Sequence, residues 1–383
     1  MDMTKRSRPG RGLFMNGAMA SLVALLLVAC GGNADTNAGT SAGVTTGSTG
    51  GGGGGTGGGS TASGTGGTGG GSTTSSTGGT GGGSTASGTG GTGGSTTSGT
   101  GGGGGSAPAI AFPCPGGTVG PDKNTLTVAG AERVFYADFP KDTSQPMGIL
   151  FSWHGFGQPA ADFRAASALD PNANPSLPVV VITPDDSGLQ PPVGLDWDIA
   201  KGTAGDKNVD IAFFEAMVGC LNEQYDIDST RIYSYGFSAG SVMTSLLHSR
   251  YPRLLSAIIA VSGAWFNDQA EEDLVNLIKI DWNWPPLDPA DGGAVLLTHG
   301  GPKDVTVLNL LDLEASAQAA FPFLGANGRV VVDCAHTQGH TPHPKVTPAV
   351  ISKFISEHRA GEPSPYLNGG YGGFPDTCVL RLP

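Results

Sequence analysis

The stretch Gly236-Phe237-Ser238-Ala239-Gly240 sets a serine hydroxyl between two glycines, with a β-rich run before it (RIYSYG, 231–236) and a helical one after it (SVMTSLLHSRYP, 241–252). Serine is a weak nucleophile at neutral pH. It needs a base to take its proton, an acid to orient that base, and N–H donors for the oxyanion that develops on the attacked carbonyl. In a G-x-S-x-G turn between strand and helix, the glycines avoid a side-chain clash while Ser238 is lifted above a sheet. A helix starting at Ala239 then directs its positive end at the oxyanion.

The base is sought in CAHTQGHTPHP (334–344), which holds His336, His340 and His343 close to Cys334. His340 follows Gly339, where the chain can bend to bring the imidazole back to Ser238, and it is the preferred base; His336 and His343 stay open as replacements. The same four side chains could be counted as zinc ligands. Their C-x-H-x3-H-x2-H spacing is not a structural zinc pattern, and Pro342 and Pro344 prevent a helix that would align them. No metal site is therefore assigned, and no cofactor is required.

The acid should follow a late strand, and Asp304 lies just past GAVLLTHG (293–300). Asp333 competes but sits beside Cys334, and Asp312 lies too far along. For the oxyanion, ILFSW (149–153) runs into His154-Gly155-Phe156-Gly157, so the N–H groups of Phe156 and Ala239 are the expected donors. His154 itself is read as a residue that steadies this loop by hydrogen bonding.

These residues need a scaffold. GILFSW (148–153), PVVVIT (178–183), RIYSYG (231–236), SAIIAVSG (256–263), GAVLLTHG (293–300) and GRVVVDC (328–334) read as buried strands. Between them, KNVDIAFFEAMVGCLNEQY places Ile211, Phe214, Val218 and Leu221 on one helical stripe, and TPAVISKFISEH does the same with Val350, Phe354 and Ile355. Strand and helix in alternation predict an α/β fold, a mostly parallel sheet with helices on both faces. Every tryptophan and tyrosine lies after residue 107, so residues 108–383 are expected to form one catalytic domain. Trp197, and Trp265, Phe266, Trp282 and Trp284, could wall an acyl or aryl pocket or simply pack.

The other residues read as address and tether. Lys5, Arg6, Arg8 and Arg11 precede the apolar run Ala18–Ala29, which suits a secretory signal in residues 1–29 and is too short for a stable membrane span. Leu27-Val28-Ala29-Cys30 resembles a bacterial lipoprotein signal, which implies that Cys30 is lipidated and anchors the chain at the cell envelope or surface. From Thr45 to Ser106 only Gly, Ser, Thr and Ala occur, and GGGSTASGTGGTGG appears at both 57–70 and 81–94. Residues 30–107 are thus expected to be a disordered linker spanning on the order of 50 Å.

Losing residues 1–29 removes four basic residues and one acidic one, which takes the formal net charge from −12 to −15. Such acidity argues against nucleic acid as a partner. Cys114, Cys220, Cys334 and Cys378 remain, an even count that suggests two disulfides outside the cytosol. Of the three pairings, Cys114 with Cys220 and Cys334 with Cys378 is preferred.

With these residues in view, region 108–383 resembles the extracellular α/β-hydrolase group of poly(3-hydroxybutyrate) depolymerases and feruloyl or acetylxylan esterases, carbohydrate esterase family 1 in the broad sense. The resemblance rests on TLTVAGAERVFYADFP, FSWHGFG, DIAFFEAMVGCLNEQYDIDSTRIYSYGFSAGSVM, LLTHGGPKDV and GHTPHP. It implies the α/β-hydrolase fold, the triad Ser238, Asp304 and His340, the donors Phe156 and Ala239, and an ester substrate that can be polymeric. Two features depart from the family pattern: Gly301-Pro302-Lys303 puts three residues between His299-Gly300 and Asp304 where two are common, and Phe156 is bulkier than its usual counterparts. The expected activity is an exported, monomeric serine esterase. A serine peptidase of the same fold and a non-catalytic surface binding module are the alternatives.

Overall fold

The computed structural model describes residues 108–190, 195–202, 207–268, 282–306 and 311–383. Residues 1–29, in which a secretory signal is expected, Cys30 and the glycine-rich stretch lie outside them. Among the described residues nine strands form one sheet in the order β1-β2-β4-β3-β5-β6-β7-β8-β9. In chain order the elements are β1 (Asp122–Val128), β2 (Ala131–Asp138), β3 (Met147–Trp153), α1 (Ala160–Ser167), β4 (Val179–Pro184), α2 (Val209–Gln224), β5 (Ile227–Phe237) and α3 (Ala239–Arg250). Then follow β6 (Leu255–Val261), β7 (Ala294–His299), α4 (Leu313–Ala326), β8 (Val330–Ala335), α5 (Pro348–Ser356) and β9 (Cys378–Arg381).

The six strands expected from sequence form the parallel block β4-β3-β5-β6-β7-β8. β3, β4, β6 and β7 are buried along their whole length, as strands covered on both faces must be. β1 and β2 alternate buried with more exposed residues and pair antiparallel at one edge, and β9 pairs antiparallel at the other. The β1–β2 connection is the two-residue turn Ala129-Gly130 with positive φ at both positions (52° and 83°), the backbone that a tight hairpin demands.

Alternate residues of the central strands feed two cores. Ile149, Phe151 and Trp153 of β3 pack with Phe213, Phe214 and Met217 of α2 and Val242, Met243 and Leu246 of α3. Leu150, with Val179 and Val181 of β4, packs on the other face with Phe163 of α1 and Phe354 and Ile355 of α5. α2 is buried well beyond its predicted stripe, since Phe213, Ala216 and Met217 are also enclosed. On α5 the inward residue is Ile351, with Phe354 and Ile355, and Val350 is only partly covered. Ile351 completes the i, i+3, i+4 face that the sequence reading began one residue early.

Cys114 bonds Cys220 across 106 residues and Cys334 bonds Cys378 across 44. The second bond joins directly paired residues of β8 and the short edge strand β9. Replacing Cys334 and Cys378 by alanine is expected to cost about 2–4 kcal/mol, read as a lower denaturation midpoint than that of the oxidised wild type.

Candidate active site

β5 ends at Phe237 and α3 begins at Ala239, so Ser238 alone makes the turn, with φ 55° and ψ −120°. Neither glycine of the motif carries a positive φ, and what each supplies is room. A Cβ on Gly236 would stand 2.1 Å from the Gly240 carbonyl oxygen, and one on Gly240 would stand 2.1 Å from that of Trp153. The turn is held by Ser238 N–H donating to the Val261 carbonyl at 2.9 Å and by Ser241 N–H donating back to the Ser238 carbonyl at 2.9 Å.

Ser238 Oγ is 2.9 Å from His340 Nε2, and His340 Nδ1 is 2.8 Å from Asp304 Oδ1. Asp304 is fully buried, and its other oxygen accepts from Ser262 Oγ and from the Gly300 N–H, each at 2.7 Å. His340 keeps about a quarter of its side chain exposed (25%) and stacks on Phe237, ring centroids 4.9 Å apart. The three residues preceding Asp304 are absorbed as the single 3₁₀ turn Gly301–Lys303. The loop that carries His340 is tied to the loop that carries Asp304 where Gly339 N–H donates to the Gly300 carbonyl at 3.1 Å, and Gly339 itself sits at φ 75°.

The other two histidines do not reach the serine. His343 Nδ1 accepts from the Lys345 N–H, so its proton is on Nε2, which faces the Ala335 carbonyl and Thr377 Oγ1. His336 Nδ1 accepts from the Gln338 N–H, and burial lowers the pKa of both rings. With Cys334 in a disulfide and both nitrogens of His340 engaged, the four-ligand zinc set is broken up.

Gly155 packs against the elbow: a Cβ there would stand 3.1 Å from the Phe237 ring and 3.4 Å from Ser238 Cβ. Phe156, the next residue, is half-buried, and Ala239 is buried in the first turn of α3. Trp197, Trp265 and Trp284 are core residues rather than an open wall. Trp197 Nε1 donates to the His154 carbonyl at 3.0 Å and Trp284 Nε1 donates to that of Ile199, while Trp282 is half-buried and stacks on Phe266.

Two supporting residues escaped the sequence reading. Ser262, at φ 51°, holds Asp304 from the end of β6; a serine-glycine pair after a strand was the only hint. His299 pairs Nδ1 with Glu314 of α4 and places Nε2 3.0 Å from Asp333 Oδ1, while Arg381 binds the other Asp333 oxygen at 2.9 and 2.7 Å. With a carboxylate on each nitrogen, the ring keeps both protons. Burial pushes its pKa down, but Asp333 and Glu314 outweigh burial and the net direction is up from 6.5. A raised histidine contributes stability that is fully present below its unfolded pKa and is lost as pH rises through the folded value. The melting-temperature gap between wild type and His299→Gln is therefore expected to be widest near about pH 6 and to narrow toward about pH 9.

No family model matches the sequence. Among characterised proteins, the chain is similar to feruloyl esterase D of Neurospora crassa, 25% identical over 166 residues that cover 41% of this chain and 57% of that protein. It is also similar to the oxidized polyvinyl alcohol hydrolase of a Sphingopyxis species (strain 113P3), 28% identical over 165 residues covering 37% of this chain and 44% of the relative. The chain thus spans about half the length of the curated relatives it matches. Among solved structures, native pOPH superposes with a TM-score of 0.56 at 20% identity, covering 70% of this chain and 96% of that one. Native sOPH does so with 0.54 at 20% identity, covering 70% and 97%. The fold is that of the α/β-hydrolases. Within this fold Ser238 occupies the strand-to-helix turn after β5, and Asp304 and His340 occupy the loops after β7 and β8, at the carboxyl ends of the parallel strands where such sheets bind ligands.

Proposed function

We propose that the chain is a serine hydrolase of carboxylic esters that works through an acyl-enzyme. The observation that carries this reading is the unbroken hydrogen-bond chain from Ser238 Oγ through His340 to buried Asp304. His340 takes the Ser238 proton as Oγ attacks the ester carbonyl, and Asp304 stabilises the imidazolium. Ala239 and Phe156 N–H groups receive the oxyanion, and His340 then returns the proton to the departing alcohol. The exposed edge of His340 lets water enter, lose a proton to the same nitrogen and release the acid.

The substrate class proposed is a feruloyl or acetyl ester on a polysaccharide, or a polyhydroxyalkanoate. Similarity to a feruloyl esterase supports an ester, and similarity to a hydrolase of oxidized polyvinyl alcohol supports a polymeric substrate. Export and a lipid anchor at Cys30 fit a polymeric substrate outside the cell, with residues 30–107 as the tether, and the two disulfides favour an oxidising compartment.

The test compares the full chain with Ser238→Ala on p-nitrophenyl acetate, methyl ferulate, poly(3-hydroxybutyrate) film and a peptide panel. Ester cleavage that falls by about 10⁴-fold or more in the variant is expected. Cleavage of amides alone would make the chain a peptidase, and no turnover of any ester would overturn the proposal.

A further inference from the structure

Three side chains that ester hydrolysis does not use converge beside the loop from β3 to α1. His154 opens that loop, Asp186 lies just past β4, and Asp196 lies in the segment leading to α2. One ligand atom of each lies within 4.8 Å of the other two, and among the described residues no other trio of His, Cys, Asp or Glu comes so close. His154 is fully buried and Asp196 nearly so. His154 Nδ1 is 2.9 Å from the Gly155 carbonyl, which can only accept, so Nδ1 carries a proton and Nε2 is the nitrogen that can offer a lone pair. That nitrogen has no hydrogen-bond partner, and Asp186 Oδ2 is 3.6 Å away. Trp197 lies 4.6 Å from the ring and bonds the His154 carbonyl, so the imidazole is held as it stands.

His154 Nε2 and two carboxylates thus face one another. A backbone carbonyl that fixes the tautomer and leaves the other nitrogen free is how proteins prepare an imidazole for a metal. Two ligand atoms about 2.0–2.1 Å from one tetrahedral ion stand roughly 3.3–3.5 Å apart, close to the observed 3.6 Å. We propose that His154 Nε2, Asp186 and Asp196 bind one divalent cation of the zinc type, with a water in the remaining position. Asp196 also accepts the Gly157 N–H at 2.6 Å, so the ion braces the loop that carries Phe156. The part played by Phe156 rests on the proposed esterase reading; the binding of the ion does not.

The experiment takes the full chain, untagged and stripped with chelator, and titrates it with Zn²⁺, Mn²⁺ and Ca²⁺ by calorimetry alongside thermal melts. Saturable uptake of about one Zn²⁺ per chain is expected, with a rise in melting temperature of about 5 °C at saturation. Asp186→Asn, at a half-exposed position, is expected to weaken binding by about tenfold or more and remove the thermal gain, and Asp196→Asn, which can still accept from Gly157, to do the same. His336→Gln is expected to bind as the wild type does. Uptake far below one ion per chain, or binding that survives both aspartate variants, would overturn the proposal and leave the trio as an ion pair of protonated His154. The titration is repeated in Ser238→Ala, which is expected to bind zinc unchanged, so a failed cation site and a failed esterase reading are told apart.

Discussion

Asp304→Asn is expected to lower kcat by about 10⁴-fold on whichever ester the wild type cleaves best, with the fold intact and KM little changed. The reason lies in which atoms the second oxygen serves. Asp304 Oδ2 accepts from the Gly300 N–H, an obligate donor, and from Ser262 Oγ. An asparagine here keeps its carbonyl oxygen on Gly300 and turns its NH₂ toward His340 Nδ1. Nδ1 must then accept, the imidazole proton moves to Nε2, and Nε2 faces Ser238 Oγ as a donor that cannot take the serine proton. Steady-state kinetics with a near-UV spectrum of the variant check this. A loss under about tenfold would show that Asp304 does not set the tautomer.

The parallel block was legible because its strands are continuous apolar runs bounded by glycine and proline, and only a doubly covered strand tolerates such a run. The edges were harder. β9 is a four-residue strand, CVLR, with only Cys378 buried, and its place is set by the bond to Cys334 rather than by any pattern of its own. The residues the sequence singled out as nucleophile, acid and preferred base stand within hydrogen-bond reach of one another, because each follows a strand of the parallel block and such turns meet at one end of the sheet. Which of three histidines faces the serine was not fixed by spacing. It is decided by the Gly339–Gly300 backbone contact, in which a Cβ on Gly300 would stand 2.0 Å from the Gly339 oxygen. Ser262, His299 and the His154 trio were unreadable for the same reason: each is defined by partners from other strands and loops, as Ser262 is by Asp304, 42 residues on, and His299 by Asp333, 34 residues on, and such separations leave no local pattern.

Arg133→Ala is expected to cost about 3–5 kcal/mol, the effect of leaving one member of a buried ion pair without the other. Arg133, on β2, is 3% exposed, and its Nη2 lies 2.7 Å from Oδ1 of Asp210, a fully buried residue in the first turn of α2. The guanidinium also donates to the Val209 and Asp185 carbonyls and lies over the Phe213 ring at 4.3 Å. Asp210 Oδ2 is occupied by the Asp198 N–H at 2.7 Å. One side chain therefore ties the edge hairpin, the end of β4 and the start of α2 together, with its charge balanced by a group that water cannot reach. Removing the arginine leaves that carboxylate buried without its cation. At roughly 2–4 °C per kcal/mol for a domain of this size, the melting temperature should fall by about 10 °C. The double variant Arg133→Met, Asp210→Asn is expected to recover most of the loss, because the methionine stem still covers Phe213 and the amide oxygen still accepts from Asp198. If the double variant were as unstable as Arg133→Ala, the cost would lie in the lost hydrogen bonds to Val209 and Asp185 and not in the stranded charge.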